Sequence, residues 1–283
     1  MEIKPDGVYV DVTFGGGGHS REILSRLSEK GRLYVLDQDT DAIRNVPDDE
    51  RVTFIHSNFR YVRQMLRVEG VSCIDGLLAD LGVSSWQFDT ATRGFSYRMD
   101  GPLDMRMNIE SAVTAYDVIM RYSEDRLQQV FSEYGEVRNA KTLARHIIQN
   151  RERLRPVKTT EFLQLIEPVI FGNRQKYLAQ VFQSLRIEVN QEMEVIRQLL
   201  IETVKVLKVG GVMAMITFHS LEDRLVKNFF KTGNFDGILA RDKYGNIQKP
   251  LEAINKKPVE ASEDEIRRNS RARSAKLRAA RKL

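Results

Sequence analysis

Short apolar runs alternate with helical patterns in the first third of the chain, and this alternation constrains the fold more than any other feature. The runs lie at residues 8–12, 33–36, 52–55 and 74–79. Near-continuous apolar strands separated by helices are typical of βαβ units, in which a parallel sheet is buried on both faces. The sequence therefore predicts an α/β fold with a doubly covered sheet.

The alternation stops at about residue 86 and resumes only beyond residue 189. Within this stretch Leu127, Val130, Phe131 and Tyr134 follow helical spacing, and further helices are predicted at 140–152 and 161–166. Afterwards a helix at 191–207, a turn at Gly210 and Gly211, and a strand at 212–216 restore the α/β pattern. We therefore predict a discontinuous sheet domain at 1–90 and 178–283 and an all-helical insertion at 91–177.

A run of glycines follows the first predicted strand, at residues 15–18, and a helix comes directly after it. Glycines at such a turn allow positive φ and let a ligand approach the bare backbone. Asp37 ends the second strand roughly twenty residues later, where an acid can bind both hydroxyls of a ribose. The pair predicts a nucleoside-containing cofactor. The alternative is that the glycines serve only a tight turn.

The residues around this loop favour S-adenosylmethionine over a dinucleotide. The third glycine position of the dinucleotide fingerprint is Ser20, and S-adenosylmethionine has no pyrophosphate that needs a helix N-terminus. Its ammonium and sulfonium groups favour nearby acids, and predicted strand ends supply Asp11, Asp37, Asp39 and Asp80. An NAD(P)-dependent oxidoreductase is the alternative that the glycine loop and Asp37 leave open.

Asp80 follows the fourth strand, at the edge where a bound ligand and a reacting group meet. An exocyclic amine is a poor nucleophile because its lone pair is delocalised into the ring, and a carboxylate accepting its N–H bonds helps to localise that pair. Asp80 is placed to accept such a bond; the alternative is that Asp80 only caps the turn that follows the strand. Methylation at a pyrimidine carbon needs a cysteine nucleophile, and Cys73 lies at the opposite end of this strand.

The positive charge of the chain is concentrated in its last eighteen residues. Residues 266–283 hold eight of the 44 basic side chains and none of the 39 acidic ones, which leaves 36 basic against 39 acidic in the remainder. A basic tail on a near-neutral body indicates a polyanion partner, usually nucleic acid. Alanines favour a helix there, which would place Arg267, Arg271 and Arg278 on one face. The alternatives are a solubilising tail or one docked on its own body.

The composition and the termini predict a cytoplasmic protein. A single cysteine fits a reducing compartment. No apolar stretch approaches the roughly twenty residues of a membrane span, and the first residues lack the apolar core of a secretory signal. The four histidines have no metal-ligand spacing, so no catalytic metal is expected.

Seven motifs in order along the chain resemble the bacterial 16S ribosomal RNA (cytosine-N4)-methyltransferase family, also called the MraW or RsmH family. They are TFGGGGHS (13–20), DLGVSS (80–85), RGFS (93–96), GPLDMRM (101–107), VFQSLRI (181–187), TFHSLEDR (217–224) and RARSAKLR (271–278). The resemblance implies a Rossmann-like S-adenosylmethionine-dependent methyltransferase sheet with a helical, substrate-recognising insertion. It also implies N4-methylation of one cytidine in the decoding region of 16S rRNA within the small ribosomal subunit.

Site residues are carried over from the same motifs. The implied cofactor contacts are Gly17, Gly18, His19, Asp37, Phe59, Asp80 and Gln87, with Asp37 on the ribose and Phe59 beside the adenine. Without the resemblance, Phe59 would be read as an ordinary core residue. Family members usually carry a His-x-Pro-Val-Leu-like segment before the first strand, so either this chain start is late or that segment is missing. Cofactor affinity is the property expected to depend on it.

Other candidates lie at the fifth strand and in the insertion. His219 either contacts the base and helps to remove the proton, or belongs to a capping turn with Ser220 as the N-cap. A set of arginines and aromatics is a candidate for holding a flipped-out cytosine and its flanking phosphates, although individually most of them are expected to be packing or surface residues: Arg93, Arg98, Arg106, Arg186, Trp86, Phe95 and Tyr97. A ribosome-assembly protein that binds RNA without methylating it is a third possibility.

Overall fold

The computed structural model describes residues 1–153, 158–245 and 249–283. These residues form two compact units. The first, here called the sheet unit, comprises Met1–Gly82 and Met193–Leu283, and the second, the helical unit, comprises Val83–Glu192. The sheet unit is thus discontinuous in sequence.

Eight strands make up the sheet of the sheet unit. They are β1 (Val8–Asp11), β2 (Arg32–Asp37), β3 (Val52–His56), β4 (Ile74–Asp80), β5 (Leu207–Thr217), β6 (Leu251–Ala253), β7 (Val259–Glu260) and β8 (Lys276–Lys282). Their order is β3-β2-β1-β4-β5-β8-β6, with β7 paired to β8. Strands β1 to β5 are parallel, whereas β8 is antiparallel to its neighbours. The first five strands in the order 3-2-1-4-5 give a Rossmann-like sheet.

Eleven α-helices lie in the described residues. They are α1 (Gly18–Leu24), α2 (Val62–Val68), α3 (Ser85–Asp89), α4 (Ala115–Arg121), α5 (Glu124–Glu133), α6 (Ala140–Asn150), α7 (Thr159–Ile166), α8 (Arg174–Asn190), α9 (Glu192–Val206), α10 (Ser220–Thr232) and α11 (Glu263–Arg268). None of these helices is long and apolar enough to cross a membrane.

The sheet is buried on both faces, as the apolar runs predict. Neighbouring residues in a strand point to opposite faces, and Leu77 and Leu78 of β4 are both buried in separate core clusters. The Leu77 cluster includes residues of α2, α9 and α10. The Leu78 cluster includes Ile23 and Leu24 of α1. Apolar burial on the two faces therefore supplies the main stabilisation of this sheet.

Three strands end on an acid at the same edge of the sheet. Asp11, Asp37 and Asp80 are the last residues of β1, β2 and β4. In register, Asp11 pairs with Val35 and Leu78, and Asp80 pairs with Ile216. The carboxyl ends of these parallel strands are where ligands bind in open α/β sheets.

The predicted turn at Gly210 and Gly211 is wrong, because both residues lie inside β5. The register between β4 and β5 shifts there: Ile74 pairs with Leu207, whereas Gly76 pairs with Val212. The extra residues of β5 form a bulge, and the φ of 80° at Gly210 is readily adopted only by glycine.

The helix considered for the basic tail is also wrong beyond residue 268. After α11 the chain forms a short 3-10 helix, Ser270–Ser274, and then β8, which lies between β5 and β6. Ala280 is fully buried there. Pairing with two strands satisfies the backbone of β8, so tertiary contacts override the helix propensity of its alanines.

The helical unit contains α3 to α8 and has its own core. Leu127, Phe131, Ile147 and Phe162 are fully buried in one cluster. The described residues of this unit contain no strand, only an isolated bridge between Pro102 and Lys158. The prediction of a strand-free segment is therefore confirmed for the described residues, while residues 154–157 lie outside them.

The boundaries of the two units differ from those predicted. They lie at 82/83 and 192/193 instead of 90/91 and 177/178. Helix α8 runs from Arg174 to Asn190 without a break, so residue 178 is inside a helix whose apolar face belongs to the core of the helical unit. A boundary there would divide one helix between two cores.

Candidate active site

The glycine loop leaves one open stretch of backbone between β1 and α1. Gly17 adopts a φ of 73°, and its N–H donates to the carbonyl of Phe14 at 2.7 Å. A Cβ on Gly17 would lie 2.9 Å from the Phe14 ring, so the turn requires glycine. A Cβ on Gly18 would meet no atom within 4 Å. A ligand can therefore approach the loop backbone at Gly18.

Asp11 is a structural acid rather than part of a ligand-facing rim. It is 1% exposed, and it accepts hydrogen bonds from the Ser20 hydroxyl at 2.6 Å and the Thr13 N–H at 3.1 Å. Burial raises the pKa of Asp11. The hydrogen bond from Ser20 to Asp11 explains why serine occupies the third glycine position of the dinucleotide fingerprint. The spacing of the glycines alone did not reveal this role. Asp11 therefore supports the glycine loop through its bonds to Thr13 and Ser20.

Asp37 holds the glycine loop and keeps acceptor capacity. Its two oxygens accept the Gly15 N–H at 2.8 Å and the Asp39 N–H at 2.9 Å. Each carboxylate oxygen has a second lone pair, which a ribose hydroxyl can use. Burial raises the pKa of Asp37. Asp39 is itself buried, and its side chain accepts the Asp41 N–H, so it caps the next short helix.

Phe59 begins a short 3-10 helix directly after β3. Asn58 caps this helix by accepting the Arg60 N–H at 3.0 Å, and its amide donates to Gln38 Oε1 at 2.7 Å. The second bond joins the loop after β3 to the loop after β2. Phe59 is partly buried and packs against the sheet core. Both interpretations, core residue and adenine wall, are compatible with this placement.

Asp80 carries a carboxylate oxygen that has no partner. Its N–H donates to the Thr13 hydroxyl at 2.7 Å, and its Oδ2 lies 3.5 Å from His19 Nε2. Its Oδ1 is buried and has no hydrogen-bond partner among the described residues. The hydrogen bond to Asp80 raises the pKa of His19. Since buried acceptors are nearly always satisfied, this oxygen is placed to receive a donor from a ligand.

His219 is the N-cap of α10, a place expected for Ser220. Its Nδ1 accepts the Glu222 N–H at 3.4 Å, and its Nε2 lies 3.1 Å from Glu222 Oε1. Glu222 is fully buried and also accepts the Phe218 N–H at 2.8 Å. Nδ1 thus caps its own helix, which favours the capping alternative for His219, whereas Nε2 is buried and has no hydrogen-bond partner among the described residues.

Gln87 belongs to the helical unit and forms a capping box there. Its N–H donates to the Ser84 hydroxyl at 3.2 Å, and its Oε1 accepts the Ser84 N–H at 3.3 Å. The side chain is buried. The two bonds of the capping box fix the start of α3, which begins at Ser85, the last residue of the DLGVSS motif.

The arginines expected to hold RNA serve mainly inside the helical unit. Arg106 pairs with Asp104 at 2.7 Å, and Arg186 pairs with Glu192 at 2.7 Å. Arg93 is buried and donates to two main-chain carbonyls. Contacts of these arginines with RNA bases and phosphates stay a prediction, and the bonds that the arginines make within the helical unit do not favour it.

The aromatic candidates differ from one another in exposure. Phe95 is buried in the core of the helical unit. Tyr97 packs edge-to-face on Phe182, with 5.7 Å between the ring centroids, and Arg98 lies over the Tyr97 ring. Trp86 instead exposes 47% of its surface.

A Rossmann-like sheet with a glycine loop after β1 and an acid ending β2 defines a class of α/β enzymes that bind a nucleoside-containing cofactor, of which S-adenosylmethionine-dependent methyltransferases are one group. The whole chain, residues 1–283, matches the model of the MraW methylase family. The chain belongs to the MraW methylase family, and the oxidoreductase alternative is therefore wrong.

Individual relatives agree with this assignment. The chain is 53% identical over 283 residues to the ribosomal RNA small subunit methyltransferase H of Bacteroides fragilis (strain YCH46), covering all of this chain and 93% of that protein. It is 51% identical over 283 residues to the protein of the same name in Flavobacterium psychrophilum, covering 97% of it. Among solved structures, an rRNA methylase from Streptococcus thermophilus aligns over 99% of this chain and 89% of its own, with 10% identity and a TM-score of 0.43.

Proposed function

We propose that this methyltransferase acts on the exocyclic N4 amine of a cytidine in the decoding region of 16S rRNA, within the small ribosomal subunit and in the cytoplasm. The names of the relatives support the rRNA substrate. The single observation that supports amine chemistry is the buried Asp80 Oδ1, to which no group in the described part of the chain donates. An amine N–H is a suitable donor.

The two units have different roles in the proposed reaction. The sheet unit binds the cofactor, and the helical unit recognises the rRNA. Gly18 would receive the cofactor along open backbone in the turn that Gly17 makes possible, Asp37 would accept the ribose hydroxyls, and Phe59 would lie beside the adenine. His19 completes the contacts in the sheet unit that the family motifs imply, whereas Gln87, the other implied contact, is buried in the capping box of α3 in the helical unit. S-adenosylmethionine, when bound, supplies the electrophilic methyl group.

Asp80 has the central chemical part in this proposal. Its Oδ1 accepts one N–H of the target amine, which helps to localise a lone pair that the ring otherwise delocalises. The bond from its N–H to Thr13 holds the end of β4 against the glycine loop. His19 lies on the other oxygen and orients the carboxylate. Thr13 and His19 are accordingly positioning residues, and His219 stabilises the start of α10.

Mass-spectrometric mapping of 16S rRNA tests the proposal. RNA from cells with and without this protein should differ by one methyl group at the N4 of one decoding-region cytidine, and the purified protein should restore it to subunits from the deficient cells. A methyl group on carbon 5, on the ribose or in another RNA would contradict the proposal.

A further inference from the structure

Trp86 is an exposed indole in an otherwise polar stretch of the helical unit. It exposes 47% of its surface, and its chain neighbours Ser85, Asp89 and Thr92 are exposed as well. An apolar protein interface needs a contiguous apolar patch, which these polar neighbours do not provide. A single flat ring in polar surroundings suits a partner that is itself flat and polar at its edges, as a nucleobase is.

The indole is supported from behind by Arg93. The guanidinium carbon lies 5.3 Å from the centroid of the Trp86 ring, over its face. Since Arg93 covers one face, the exposed surface of the ring comes from the opposite face and the edge. A cation over one face is a favourable contact for tryptophan. The ring thus has one occupied face and one available face.

The support is itself rigid. Arg93 is only 8% exposed, and its Nη2 donates to the carbonyls of Arg106 at 3.0 Å and Met107 at 2.9 Å. The main-chain carbonyl of Trp86 accepts the Thr90 hydroxyl at 2.7 Å, which fixes the backbone that carries the ring. A ring held in this way loses little conformational freedom when it binds, so most of the contact energy contributes to affinity.

We propose that Trp86 is a stacking platform for one unpaired base of the RNA substrate. The inference rests on the proposed rRNA substrate and adds the residue that holds an unstacked base. Proteins recognise single-stranded RNA by stacking splayed bases on aromatic rings, a contact that tolerates any base because each has a π-face. Trp86 would therefore contribute affinity and position without selecting the methylated nucleotide.

The chain contains only one tryptophan, so its fluorescence reports on this site alone. The probes are a single-stranded oligoribonucleotide with the decoding-region sequence, the same strand in a perfect duplex, and S-adenosylhomocysteine. We expect the single strand to quench the emission with the Kd measured independently by anisotropy, and the duplex to quench far less. Equal quenching by the duplex, no quenching by the single strand, or quenching by S-adenosylhomocysteine alone would overturn the proposal.

Two substitutions at the site and one outside it complete the test. Trp86→Leu should weaken binding of the single strand about 5- to 100-fold, and Trp86→Phe, which keeps a ring, about 3-fold or less. Phe171→Leu is the matched control, since Phe171 is 56% exposed in the same unit, and it should bind RNA as the unchanged protein does. Equal affinity of the Leu and Phe variants at residue 86 would refute stacking.

Methylation by the unchanged protein is measured separately, so failure of the two ideas can be told apart. If the protein methylates 16S rRNA while Trp86→Leu binds RNA normally, the stacking platform is wrong and the proposed function stands. If single-stranded RNA quenches Trp86 and no N4 methyl group forms, the platform stands and the proposed function is wrong.

Discussion

Arg278 of β8 and Asp223 of α10 form a bidentate, largely buried ion pair. Arg278 Nε donates to one carboxylate oxygen at 2.7 Å and Nη2 to the other at 3.1 Å, with side chains 8% and 14% exposed. The positive residues at the end of the chain therefore have two roles. Arg278 and Lys282 of β8 are bonded within the fold, whereas Arg267, Arg268, Arg271, Arg273 and Arg281 are exposed.

Arg278→Ala should lower the free energy of unfolding by about 3 kcal/mol, because it leaves Asp223 as a buried charge without its partner. Thermal melting measures the effect, and Arg273→Ala, an exposed arginine before β8, is the control that should melt as the unchanged protein does. Truncation before Ile266 removes β8 altogether and should abolish cooperative unfolding. An unchanged melting temperature after that truncation would contradict the structural role of the strand.

The exposed arginines at 267, 268, 271 and 273 are expected to contact RNA phosphates. Changing all four to glutamine should flatten the plot of log K against log salt by about 0.7 for each lost contact to a single strand. The methylated position should stay the same, since phosphate contacts carry no sequence information. Filter binding over a salt series checks this, and a slope equal to that of the unchanged protein would assign these residues to solubility alone.

Asp37→Ala should weaken S-adenosylmethionine binding by about 1.5–3 kcal/mol, the scale of hydrogen bonds to a charged acceptor. Isothermal titration calorimetry gives the affinity directly. Asp48→Ala, at an exposed acid elsewhere in the sheet unit, is the matched control. If both variants bind the cofactor equally well, Asp37 acts only through its bonds to Gly15 and Asp39.

Asp80→Ala should reduce the single-turnover methylation rate about 100-fold or more at saturating cofactor, the scale of a positioned acid–base group. Cofactor affinity should change much less, because the unpartnered oxygen acts mainly in the transition state. Rapid-quench assays on small subunits measure the rate, and Asp48→Ala again serves as the control. A rate equal to that of the unchanged protein would make Asp80 a structural residue.

His19→Gln should have a pH-dependent effect on stability. Asp80 raises the pKa of His19 in the folded protein, so the pair contributes fully below the unfolded pKa of His19 and loses its contribution as pH rises through the folded pKa. Since the His19 side chain is half exposed, we expect about 0.5 kcal/mol at pH 5.5 and no difference at pH 9. Urea unfolding at both pH values measures this difference in the free energy of unfolding. A larger loss of stability at pH 9 than at pH 5.5 would contradict the prediction.

Local patterns in the sequence were enough to predict the core of the sheet unit. The apolar runs of β1 to β4 are continuous because both faces are buried, and each run is followed by a turn or helix signal. The positions of Asp37 and Asp80 followed from the ends of those runs.

Contacts between residues far apart in sequence decided the rest. Strand β8 exists because β5 and β6 pair with it, and its alanines by themselves favour a helix. The main-chain N–H of Asp80 donates to the hydroxyl of Thr13, 67 positions away, and the carboxylate Oδ1 of Asp80 has no hydrogen-bond partner among the described residues; no spacing rule reports either fact. The sequence by itself thus determined which residues form the sheet and end its strands, because periodicity is a local property. Only the tertiary structure decided which of the acids are satisfied and which is left for a ligand, because hydrogen-bond partners are chosen by packing.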